Sequence, residues 1–156
     1  MAFETPVLVG VAQVEQRIGD LAEAREPLDL MIDAVRLAAE DAECPALLNA
    51  DSVRVVRGMW PYANPAGAVA EAIGCAGAET GLSPFGGNYV QTTLNKSALD
   101  IQAGRREIVI ITGAECGNTQ AKAARAQTEL NWREVPGTPD VMMGEEMEMR
   151  HEAEVA

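Results

Sequence analysis

The chain has 156 residues, of which 47% are apolar and only 4% aromatic, and its formal net charge is −12. That length predicts a domain with a core built mostly of Ala, Val, Leu and Ile, and the acidity argues against nucleic acid and anionic membrane surfaces, which require basic patches. No apolar run approaches the ~20 residues of a membrane span, no basic-then-apolar leader is visible, and Cys44, Cys75 and Cys116 form neither a zinc pattern nor a disulfide framework, which together predict a cytoplasmic protein.

Val7-Leu8-Val9-Gly10-Val11-Ala12 is apolar throughout and predicts a first, buried strand. Gln13 to Arg25 is polar and mixed, a loop with a short helical turn near Asp20 to Ala24. Pro27 suits the first position of a helix. Along it Met31, Ala34, Val35, Ala38 and Ala42 form an apolar stripe, while Asp33, Arg36, Glu40 and Asp41 face out, and Pro45 lies just beyond its end. Ser52 to Arg57 is the second strand, and its Val/Arg alternation predicts one face that is solvated or near a partner. Asn64-Pro65 caps a short Ala-rich helix, Pro65 to Ile73, closed by Gly74. Glu79 to Ser83 is a weak third strand.

The stretch from Ser83 to Glu115 organises the chain. Gly86-Gly87-Asn88 is a tight turn, with Asn88 as helix cap. Val90, Leu94, Ala98 and Ile101 then recur on one helix face, with Lys96, Asp100 and Gln102 outward. Gly104 is placed to end the helix. Ile108-Val109-Ile110-Ile111 is a β-branched run expected of a strand buried on both faces, ending in Thr112-Gly113-Ala114-Glu115. Beyond it, Asn118 caps a helix from Thr119 to about Leu130. Residues 1–130 thus form one unit. Residues 131–156 change character: Pro136-Gly137-Thr138-Pro139 is loop chemistry, and an acidic, Met-bearing stretch follows in which a helix from Gly144 onward is compatible with the composition but has no hydrophobic stripe to sustain it.

The stretch from Gly86 to Glu115 resembles the nucleophile helix and following strand of the thiolase superfamily. In that family a reactive cysteine occupies a tight turn at the N-terminus of a buried helix; the helix runs to a glycine, and a hydrophobic strand ends in Gly-x-Glu. Matching Gly104 and Gly113-Ala114-Glu115 to those glycines and acid places the nucleophile position on Gly87. The socket is kept and the cysteine is not. The G-G-N turn resembles the divergent thiolase-like proteins related to the sterol-carrier thiolases. The resemblance covers most of the chain. It implies an α/β half-domain with a mixed, mainly parallel sheet between helical layers, five-stranded in the family, and a second half packed face to face over the helix after Gly87. On this reading the chain is a piece of a longer protein, with 131–156 leading into a further region; the alternative is a short chain with a frayed acidic tail.

What the turn does has two readings. One is structural: glycines at 86 and 87 for their dihedrals. The other is functional: Gly86, Gly87 and Asn88 contact an acyl group or thioester oxygen through backbone N–H groups. Cys116, at the same strand end, reads as a small buried residue or a displaced nucleophile; Cys44 and Cys75 read as structural. His151, in His151-Glu152-Ala153-Glu154, superficially resembles the family's His-Glu-Ala-Phe motif, but that motif belongs to the second half, and a solvated residue is the better reading. Glu115 reads as a capping or turn-bonding carboxylate. The acids of 140–156 lack metal-ligand spacing, and Gly74 and Gly77 make no dinucleotide fingerprint.

The implied function is that of an acyl-CoA-processing protein, acetyl-CoA acetyltransferase-like and part of lipid metabolism, with a coenzyme A thioester as substrate or ligand and no other cofactor. Cysteine-dependent thiolysis needs an acyl-cysteine intermediate, which Gly87 cannot form. Retro-aldol cleavage of a CoA thioester, with acid and base drawn from elsewhere in a full-length protein, fits better. The alternative is a non-catalytic CoA-ester-binding or scaffolding subunit. Expected partners are acyl-CoA, a second copy or the missing thiolase half, and a small acyl-CoA-binding protein.

Overall fold

A computed structural model describes residues 5–145. Four helices, α1 (Pro27–Asp41), α2 (Pro65–Ile73), α3 (Tyr89–Gln102) and α4 (Gly117–Ala126), accompany four strands, β1 (Ser52–Arg57), β2 (Glu79–Phe85), β3 (Val109–Thr112) and β4 (Val141–Met142). The sheet order is β3-β1-β2-β4 and every pairing is parallel. This is the α/β architecture expected, with all-parallel pairing among the described residues where the family resemblance implied a mixed sheet.

Local chemistry accounts for most boundaries. Asp20 caps a 3-10 turn at Leu21–Glu23 by accepting from Ala22 N at 3.0 Å. Pro27 opens α1 and Pro65 opens α2, where the missing N–H costs nothing. Asn64 Oδ1 caps α2 from Gly67 N at 3.1 Å, and Gly74, with φ of 89°, closes it in the left-handed region.

Side-chain alternation along β1 sorts the two layers. Val53 and Val55 are fully buried against α1 and α2, in a cluster with Leu28, Met31, Val35, Val69 and Leu82. Ser52 and Arg54 point to the opposite face, where α3 lies. Burying these seven side chains at ~2 kcal/mol each accounts for the main cohesion of that layer.

Five expectations change. Val7–Ala12 forms no strand: it is extended but unpaired, with Val7 71% and Leu8 78% exposed, and β1 and β3 pair directly with each other. Arg54 is not solvated but 2% exposed. The helix α3 is turned over: Thr93 and Ser97 are buried on the sheet and Asp100 reaches Arg54, while Val90 and Leu94 face outward, 51% and 44% exposed. β3 is half-buried rather than buried on both faces, because it is an edge strand. Asn88 occupies the N-cap position of α3 as expected, but with helical dihedrals and no side-chain cap bond, whereas Asn118 caps nothing because α4 already begins at Gly117.

The stretch after α4 packs on the body. Ala63 N donates to Val135 O at 2.9 Å, Trp132 lies against the core, and β4, a strand the composition did not reveal, pairs with β2 at Gly81 and Leu82. The helix expected from Gly144 onward and His151 lie outside the described residues.

Candidate functional site

Parallel strands bring their carboxyl ends together, and in open α/β sheets that end is where ligand crevices form. Here it gathers Gly58 after β1, Gly86-Gly87-Asn88 after β2, and Gly113-Ala114-Glu115-Cys116 after β3. A groove of about 810 Å³ opens there and runs along the outer edge of β3. Its walls are apolar: Val90, Leu94, Ala98 and Ile101 from α3, Val109 and Ile111 from β3, and Val7 to Val11 opposite.

The inverted α3 explains why the groove is greasy. Arg54, once buried, must be paired. Its guanidinium donates to Asp100 Oδ2 at 2.5 Å, to Ser97 Oγ at 2.9 Å and to Ser52 Oγ at 3.1 Å, and it lies 3.4 Å from Glu79. Gly81 on β2 makes room for the arginine stem, since a Cβ there would meet Arg54 Cγ at 3.0 Å. Burial disfavours the charged Asp100 carboxyl, but hydrogen bonds from Arg54 and Arg105 outweigh it and hold the pKa below the usual range. The polar stripe of α3 is therefore committed to the sheet, and the apolar stripe is left to line the groove.

The glycine turn separates into two unlike residues. Gly86 has φ of 126°, and a Cβ there would lie 2.4 Å from Asn88 Oδ1. It is glycine by necessity. Gly87 has no such dihedral, and a Cβ would meet nothing within 4 Å. It lines the groove at its helix end. Tyr89 N and Val90 N are engaged by Gly86 O and Gly87 O, at 3.1 and 3.2 Å, so the Gly87 and Asn88 amides are the donors that precede the helix ladder. We expect Gly87→Cys to fold with a stability change within ~0.5 kcal/mol of wild type, checked by urea unfolding; a loss of several kcal/mol would show that the glycine is structural.

Glu115 is a turn-bonding carboxylate. Its Oε1 accepts from Met59 N at 3.0 Å, and Trp60 Nε1 donates to the neighbouring Ala114 O at 2.9 Å, tying the loop after β1 to the end of β3. Gly58 is needed between them, because a Cβ would lie 2.6 Å from Glu115 Oε1.

Cys116 is 6% exposed, and burial followed by the Glu115 charge pushes its thiol pKa up. That keeps it protonated and a poor nucleophile. Its Sγ sits 3.9 Å from Arg25 O, away from the groove lining. Burial likewise raises the Cys75 thiol. Iodoacetamide at pH 7.5, followed by peptide mass analysis, should modify half-buried Cys44 well before Cys116; faster labelling of Cys116 would contradict its assignment as a packing residue.

Sequence reasoning placed the turn, Glu115 and Cys116 at one end of the sheet, but missed the groove. It also missed a second cluster, where Glu26 Oε2 accepts from Tyr62 Oη at 2.6 Å and from Arg133 N at 3.0 Å, with the Arg133 guanidinium on its other oxygen. Thr93, Ser97 and Asp100 recur at helical spacing as regularly as the apolar stripe does, so spacing alone did not say which stripe faces the sheet. Among the described residues no group of acids, cysteines and histidine could hold a metal, and no helix is long and apolar enough to cross a membrane.

Searches against family models, curated proteins and solved structures returned no match to this chain.

Proposed function

We propose that this chain is the thioester-binding half of a thiolase-like, acyl-CoA-processing protein. The observation that carries the reading is the turned-over α3: its apolar stripe lines a groove that ends at Gly87 and the amides opening the helix. An acyl chain lying along Val90, Leu94 and Ile101 would bring its thioester carbonyl to that turn, where backbone N–H groups and the helix dipole favour a partly negative oxygen. Among the described residues no thiol belongs to the groove lining. The chain therefore binds and polarises a thioester rather than forming an acyl-cysteine, and carbon–carbon bond chemistry of the retro-aldol type would draw its acid and base from another segment or subunit. Lipid metabolism and a cytoplasmic setting go with that reading.

Titration calorimetry with octanoyl-CoA, acetyl-CoA and free CoA tests it. Each buried methylene contributes ~0.8 kcal/mol, so six additional methylenes should tighten octanoyl-CoA over acetyl-CoA by about fiftyfold even if only half of that is realised. Leu94→Asp should remove the preference. Equal affinity for all three would refute the acyl groove.

The exposed apolar set Phe85, Val90, Leu94, Leu99 and Met142 favours a second reading, a scaffolding subunit that associates with a copy of itself or with a second thiolase-like half. Tight self-association without preference among the thioesters would support it.

A further inference from the structure

The groove has two unlike ends. Among its lining residues only Arg57 and Glu115 carry charge, and both lie at the carboxyl end of the sheet, at the end of β1 and just after β3. At the amino end the lining is Leu47 and Leu48, from the 3-10 turn Pro45–Leu48, together with Ile101 and Ile108. Past those side chains the surface becomes ionic. Arg105 donates to Asp100 Oδ1 at 2.7 Å, and Asp51 Oδ2 accepts from the Glu107 and Ile108 amides at 2.7 and 2.9 Å. Asp51, Arg105 and Glu107 do not line the groove. An alkyl chain gains by leaving water for the apolar lining and gains nothing beyond it.

The length of the slot follows from α3, which forms one wall. At 1.5 Å per residue, the stretch from Gly87 to Ile101 spans about 21 Å. Single carbon–carbon bonds of about 1.52 Å at tetrahedral angles advance an extended chain by about 1.25 Å each, so about sixteen carbons cover that distance. The same face marks shorter lengths on the way. Leu94 lies about 10.5 Å from Gly87 and Ala98 about 16.5 Å, level with about the eighth and thirteenth carbons. Ala98 is the smallest side chain of that stripe, and it leaves the passage to Ile101 open.

We propose that the groove is a chain-length ruler for acyl groups of up to about sixteen carbons, with Ala98 as the residue that keeps its deep part open. The inference rests on the acyl-groove reading and adds the substrate class to it: long-chain thioesters, with the polar head at the Gly87 end and the tail tip against Leu47, Leu48 and Ile108.

Titration calorimetry with unbranched saturated acyl-CoAs from C2 to C20, each below its micellar concentration, tests it. With half of the transfer free energy of each buried methylene realised, affinity should rise about twofold per carbon, and the rise should stop near about C16. Ala98→Trp should move the break to about C12 and Leu94→Trp to about C8. Neither substitution reaches an acetyl group, so acetyl-CoA affinity should stay within about twofold of wild type, which also shows that the variants are folded. If they are not, the wild-type break alone decides. A wild-type break near C8, a rise that continues through C20, or a break that the substitutions do not move in that order overturns the ruler and leaves the acyl groove standing. Affinity that does not change from C2 onward contradicts the groove reading itself, and the ruler with it.

Discussion

Replacing Arg54 with alanine is expected to lower the unfolding free energy by about 3–5 kcal/mol, because one member of a buried ionic network is removed and the others stay. Arg54 is the largest fully buried side chain among the described residues, and it joins β1 to β2 through Glu79 and to α3 through Ser97 and Asp100. Without it, Asp100 keeps Arg105, Ser97 keeps its donation to Thr93 O and Glu79 keeps Ser52 and Arg106 as partners, but each loses the guanidinium and borders the void it leaves. The variant should also loosen α3, whose polar stripe has no other reason to face the sheet. Arg54→Met refills most of the volume and separates the two contributions: a loss much smaller than that of alanine would assign most of the cost to packing. Asp100→Asn, which keeps shape and one hydrogen bond, should cost only about 1–2 kcal/mol. Urea unfolding followed by circular dichroism measures all three. An Arg54→Ala loss under 1 kcal/mol would mean that the orientation of α3 has another cause.

Acid should destabilise the fold through a second buried carboxylate. Glu26 precedes α1 and ties it to the loop after β1 through Tyr62 and to the 131–136 stretch through Arg133. Burial opposes its charge, but the Tyr62 hydroxyl and the Arg133 donors outweigh burial and lower its pKa below the normal carboxylate value. The same burial, with the Glu26 charge beside it, raises the Tyr62 phenol far above its ordinary range, so the phenol stays a donor. A carboxyl whose folded pKa is depressed gives stability that is fully present above its unfolded pKa, ~4.3 for Glu, and lost as pH falls through the lower folded value. Asp51, held by the Ile108 and Glu107 amides, and Asp140, held by Thr80, shift in the same direction. Stability should therefore be flat from about pH 5 to 7 and decline below about pH 4. Glu26→Gln should cost about 2–3 kcal/mol at pH 7, since hydrogen bonds to a charged group are lost or weakened, and should make the acid decline shallower. A variant as stable as wild type at pH 7 with an unchanged acid limb would show that Glu26 carries neither effect.

The elements that sequence located well are those set by local rules. Pro27, Asn64-Pro65 and Gly74 each fix a helix boundary by a dihedral or a single hydrogen bond, and the structure begins and ends those helices there. The misreadings share another origin. Val7–Ala12 has every local property of a strand, but strand formation needs a neighbour, and β1 has already paired with β3. The α3 helix carries two stripes of comparable regularity, and the usual assumption sends the apolar one inward. What reverses it is one residue 43 positions away, Arg54, whose bond to Ser97 no local pattern encodes. The short β4 escaped notice because two residues show no periodicity; Asp140, clasping the N–H and hydroxyl of Thr80 at 2.8 and 2.7 Å, holds that strand in register. For the site, the turn and Glu115 were legible from Gly-Gly-Asn and Gly-Ala-Glu. The groove was not, since it is made by a face that had been assigned to the core.

If a thioester lies in the groove with its carbonyl at Gly87, a thiol introduced at that position should capture its acyl group. Intact-mass analysis of Gly87→Cys after incubation with octanoyl-CoA reads this out. The thiol so placed sits at the N-terminus of α3, where the helix dipole favours thiolate, and no neighbouring atom crowds the position. The sulfur should attack the bound thioester, release CoA and retain the acyl group, so that the protein gains the mass of one octanoyl group. No sustained turnover should follow, because the chain brings no second cysteine or histidine to the groove among its described residues. Acyl-CoA that leaves the wild type unmodified but acylates the variant once, and more slowly when Leu94→Asp is added, is the result predicted. A Gly87→Cys variant that folds and reacts with iodoacetamide yet gains no acyl mass would contradict it.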